Sequence, residues 1–146
     1  MSDSHFESPE RVLSEAQRAY LEWWCQHCAI LLGLAGWNVS VTAFWHGRDD
    51  AHAVSHVQDA ADYIEIALDR GFLERHELAQ RRTLAHELLH PHFYRITRLQ
   101  ERLVEGELGH RTEAILELAV ELLEEQTITR LGDAIAEMLP AIAMPS

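Results

Sequence analysis

Residues 83–95, TLAHELLHPHFYR, set His86 and His90 four positions apart, with Glu87 directly after the first histidine. On a helix, side chains four apart project from one face about one turn apart, so two imidazoles so placed can converge on a single cation. Glu87 would lie beside that face. In an H-E-x-x-H arrangement the glutamate is not a ligand; it takes a proton from a zinc-activated water and later hands it to a leaving amine. Zinc brings the pKa of that water to about 7, which supplies a hydroxide nucleophile at neutral pH. Ten histidines are many for 146 residues, so the motif needs support from its context. It falls on a predicted helix and follows strands, and Leu88 and Leu89 are apolar, as a buried helix requires.

A catalytic zinc needs a third protein ligand and one open position. The compact extension H-E-x-x-H-x-x-G-x-x-H would place glycine at 93 and histidine at 96, where this chain has Phe93 and Ile96, so that class is excluded. What remains is a carboxylate from a later helix, where Glu117, Glu121, Glu124 and Glu125 are available. Amphipathicity leaves Glu121, Glu124 and Glu125 open, since each can share a face with Ile128. An oxyanion donor should also exist, with Tyr94, His92 and His110 as candidates. His92 is in addition a candidate extra ligand or substrate contact, although it would face elsewhere if the helix continued past His90.

The elements that must hold these residues can be read from periodicity. Ser8, Pro9 and Glu10 read as an N-cap, a first-turn proline and a first-turn acid, and predict a long helix ending near residue 34, where Gly33 and Gly36 bracket the stop. Residues 37–44, 51–58 and 62–69 alternate and predict three strands in one small antiparallel sheet, with turn chemistry at 46–50. The strand at 63–68 would be the edge that pairs with an extended substrate, or an ordinary core strand. A helix follows from about Leu73 to His90. Pro91 should kink or stop it, because proline has no N–H for the carbonyl of Glu87 and disfavours helical geometry at His90. Residues 105–111 read as a loop, and a last helix runs from about Thr112 to Met138 with Ile115, Leu118, Ala119, Leu122, Ile128, Leu131 and Ile135 as its apolar positions.

Other polar and aromatic features take plainer readings. Cys25 and Cys28 have no second pair and read as packed thiols. His52 and His56 read as surface residues on a strand, Trp23, Trp24, Trp37 and Trp45 as core, and the acids of 101–107 as a solvated face.

Composition bounds the function. An apolar content of 47% over 146 residues fits one domain, 1–146. The net charge of −12 and the scattered Lys and Arg residues argue against a nucleic-acid partner. No run approaches a membrane span, and the start MSDSHFESPE is acidic where a secretory signal is basic, so a cytoplasmic protein is expected.

Trp37, Val39 and Val41, the alternating YIEIAL, then LAHELLH, then Glu125, Ile128 and Leu131 resemble the small phage and prophage zinc metallopeptidase-like proteins of gluzincin type, over residues 35–135. The resemblance implies an α+β, reduced zincin-like fold. That fold has a long N-terminal helix, a sheet of about three strands, an HExxH active-site helix and a long C-terminal ligand-bearing helix. It implies Zn2+ held by His86, His90 and Glu125, Glu87 as the general base, and hydrolysis of a peptide or protein substrate, in a bacterial host cell if phage-encoded. The alternative is a catalytically silent binding or structural module on the same scaffold.

Overall fold

The structure is a computed structural model and describes residues 13–43, 52–104 and 109–146. It is α+β, with three helices and a three-stranded mixed sheet.

Helix α1 (Glu15–Leu31) starts from a capping box: Gln17 N–H donates to the Ser14 hydroxyl, and Ser14 N–H donates to the Gln17 side chain. The N-cap predicted at Ser8 lies outside the described residues. Leu21, Trp24, Cys25, Cys28 and Ala29 bury the inner stripe of α1. Gly33, at φ +83°, turns the chain after its end, a conformation that suits glycine because a Cβ would be strained there. Trp37 is buried too, whereas Trp23 corrects the core reading: it is 62% exposed and stacks on His27. Trp45 and the 46–50 turn lie outside the described residues.

The strands are β1 (Asn38–Ala43), β2 (Ala53–Gln58) and β3 (Tyr63–Leu68), in the order β1-β3-β2. β2 pairs antiparallel with β3, but β1 pairs parallel with it, so the expected antiparallel sheet is mixed. It follows that β3 is the central strand, not the edge. Composition gives the reason: Ile64, Ile66, Ala67 and Leu68 are all buried, and the most apolar strand gains most from cover on both sides. The outer edge of β1 is met by α1. Gln26 donates to the Trp37 carbonyl (2.6 Å) and accepts from Val39 N–H (3.0 Å), and Glu22 accepts from Val41 N–H (3.1 Å). β2, the other edge strand, packs beside the second helix.

Helix α2 (Glu77–Val104) continues through Pro91, so of the predicted kink or stop the stop at His90 does not occur. Contacts on both sides of the proline outweigh the missing hydrogen bond. Leu84, Ala85 and Leu88 are fully buried before it. After it, His92 reaches the Leu32 carbonyl (2.7 Å), Arg95 pairs with Asp59, and Thr97 donates to Glu124. Helix α3 (His110–Ala136) lies along α2. His110 and Arg111, read as loop, are already helical; residues 105–108 lie outside the described residues. Of the apolar positions predicted on α3, Ile128 is buried and Ile135 packs against the core, whereas Ile115, Leu118, Leu122 and Leu131 are exposed. Beyond α3 the chain folds back over the core. Leu139 and Ile142 are buried, Trp24 Nε1 donates to the Pro140 carbonyl (3.0 Å), and Ile142 N–H donates to Glu77 (2.7 Å).

Candidate metal centre

Because Leu84, Ala85 and Leu88 point α2 into the core, the helical period turns His86, Glu87 and His90 toward α3 and β2. Their donor atoms lie within 4.8 Å of one another, a group that could hold a metal ion. Glu125 comes nearer still. His86 Nε2 lies 3.1 Å from Glu125 Oε2, and His90 Nε2 lies 3.3 Å from Glu125 Oε1. Ligands about 2.0–2.1 Å from a tetrahedral zinc are separated by about 3.3 Å, and each imidazole stands at about that spacing from one oxygen of Glu125. Glu87 is farther out, 3.8 Å from His90 Nε2, and is buried. Two imidazoles and a carboxylate at that spacing fit zinc, with Glu87 left as an acid beside it.

The outward nitrogens of both rings face α3. His86 Nδ1 lies 3.4 Å from Thr129 Oγ1, and His90 Nδ1 lies 3.8 Å from Glu124 Oε1. Glu124 is itself held by Thr97, whose hydroxyl donates to Oε2 at 2.7 Å. Partners on this side of the rings leave Nε2 for a metal. Gly132 allows the two helices to come this close: a Cβ there would sit 3.3 Å from the His86 backbone nitrogen. Sequence reasoning missed Thr129 and Gly132, although Thr129 stands four residues after Glu125 and so shares its helix face.

Electrostatics matches the geometry. Burial alone would lower the pKa of His86, but the hydrogen bond to Glu125 and the charges of Glu87, Glu125 and Asp133 outweigh it and the pKa is raised. That same hydrogen bond, with burial opposing and the charges of His90 and His86 assisting, lowers the pKa of Glu125. Without a cation, then, the two form a charged pair.

Two grooves meet at these residues. One, of about 390 Å³, runs between β2 (Ala53, Val54, Ser55, Val57) and Tyr94, with Glu124 and Glu125 in its wall. The other, of about 470 Å³, continues past His86 and Glu87 to Arg82, Thr129 and Asp133, with Ala53 again on its border. The edge strand beside the site is therefore β2, which corrects the role given to residues 63–68.

The remaining candidates separate. Tyr94 lines the first groove, and its hydroxyl accepts from Arg98 Nε at 3.1 Å. His92 turns away to α1, and His110 stands fully exposed at the far end of α3. Glu117 and Glu121 line a different groove, against Thr97, Arg98 and Glu101. Cys25 and Cys28 are buried free thiols; burial pushes Cys28 up to about 12 and raises Cys25 as well, so both are poor ligands. His52 and His56 are exposed. No described helix is long and apolar enough to cross a membrane.

Comparison of the chain with family models, with curated proteins and with solved structures finds no match.

Proposed function

We propose that this protein is a zinc-dependent metallopeptidase of gluzincin-like type on a reduced zincin-like scaffold. His86, His90 and Glu125 hold the metal, and Glu87 is the general base. The observation that carries this is the convergence of both Nε2 atoms on the two oxygens of Glu125, with Glu87 buried alongside and the edge strand β2 next to it. Zinc, when bound, supplies a Lewis acid and brings the pKa of water to about 7. Glu87 takes the proton of the attacking water and delivers it to the leaving nitrogen. An extended peptide pairs its main chain with the outer edge of β2, which orients the scissile bond across the groove. Tyr94 donates its hydroxyl proton toward the developing oxyanion.

The test is Glu87→Gln in zinc-loaded protein, assayed against a mixed peptide library by mass spectrometry. Zinc should stay bound, and cleavage should fall by roughly 10²–10⁴-fold, the usual share of general acid–base catalysis. Undiminished cleavage by the variant would remove Glu87 from the mechanism. A wild type that holds zinc and cleaves nothing would favour a silent binding module.

A further inference from the structure

Over its first half α3 exposes its apolar side chains. Glu113, Glu117 and Glu121 line the groove beside α2, with Glu113 half-buried and Glu117 and Glu121 exposed, and Glu124 accepts from Thr97. Ile115, Leu118, Leu122 and Leu123 face out, each between 59% and 67% exposed. A helix whose free side meets water carries its charges there. Here the outward positions 115, 118, 119, 122 and 126 are Ile, Leu, Ala, Leu and Gln, with no charge among them.

The amount of surface is informative. These four side chains leave on the order of 500 Å² of apolar area to solvent, near the top of what a lone soluble chain usually shows. A stable interface takes about 800 Å² from each partner, of which roughly 60% is apolar, or about 500 Å².

We propose that this stripe is the contact with a second copy of the chain, the two α3 helices packing antiparallel about a two-fold axis between Leu118 and Ala119. That register sets Ile115 against Leu122 of the second copy and Leu118 against Ala119, aliphatic on aliphatic and large against small. Arg111 then faces Gln126, so no like charges meet although each chain carries −12. The four acids stay on the α2 side, out of the contact. Glu124 and Glu125 follow Leu123 directly, so the contact would brace α3 up to the candidate ligand. The proposal does not depend on the peptidase reading, since the stripe is argued from exposure alone, and Leu118 and Leu122 run along the same helix face toward Glu125.

Sedimentation velocity on the full chain at micromolar concentration reads the mass. The wild type should sediment at twice 16.7 kDa. The double variant Leu118→Glu, Leu122→Glu should sediment as one chain with unchanged far-ultraviolet circular dichroism. Ala119→Cys, beside the axis, should give a disulfide-linked dimer on mild oxidation, while buried Cys25 and Cys28 do not take part. A single-chain mass for the wild type would overturn the proposal and assign the stripe to a different partner. A dimer that persists in the double variant, or an Ala119→Cys dimer that does not cross-link, would overturn it as well.

Discussion

Glu125 and His86 are tied to each other as well as to any metal, and this has a consequence for stability. The folded-state pKa of His86 is raised, so its contribution is full below its unfolded value and fades as pH rises through the folded one. The pKa of Glu125 is lowered, so its contribution is present above its unfolded value and fades as pH falls through the folded one. The pair therefore stabilises metal-free protein in a window that opens below 4.5 and closes above 6.5, the ordinary values of the two groups. Thermal denaturation of metal-stripped wild type across pH, compared with Glu125→Gln, should show that excess stability in the window and its loss on either side. Identical profiles for the two proteins would contradict the pairing. Zinc needs a neutral imidazole, so its own stabilisation should grow as pH rises out of this window.

Pro91 shows where elements depart from what is local in the chain. Its ring removes the hydrogen bond to the Glu87 carbonyl, and on that ground alone the helix ends; α2 continues because His92, Arg95 and Thr97 find partners on α1, on the turn before β3 and on α3. Pro91→Ala should then restore one backbone bond and raise stability by roughly 1–3 kcal/mol in urea denaturation, with zinc content unchanged. A clear loss of stability would mean that the buried ring packs better than this account allows. The HELLH helix, the three strands and the convergence of His86, Glu87 and His90 were legible because they rest on periodicity and residue type; Glu125 was not, since amphipathicity left Glu121 and Glu124 equally open. Strand order was not, since a parallel β1–β3 pair depends on where the chain crosses, although the apolar run of Tyr63–Leu68 was a signal for a central strand.

In the molecule as a whole, the candidate metal centre hangs between a core that is well filled and a pair of helices that is thinly covered. The core is closed by the segment after α3. Leu139 and Ile142 are buried, and the carbonyls of Ala136 and Leu139 both accept from Arg81 on α2, five residues before His86. A chain ending at Met138 should lose roughly 1.5–3 kcal/mol for each of the two side chains, read as a lowered urea midpoint. A midpoint equal to that of the full chain would show the segment to be dispensable. The central claim is that His86, His90 and Glu125 form a zinc site, and elemental analysis tests it most directly, on untagged protein dialysed against a weak chelator with His86→Ala beside it. The account predicts about one zinc per chain in the wild type and none in the variant. No retained zinc in the wild type, or equal zinc in both, would contradict it.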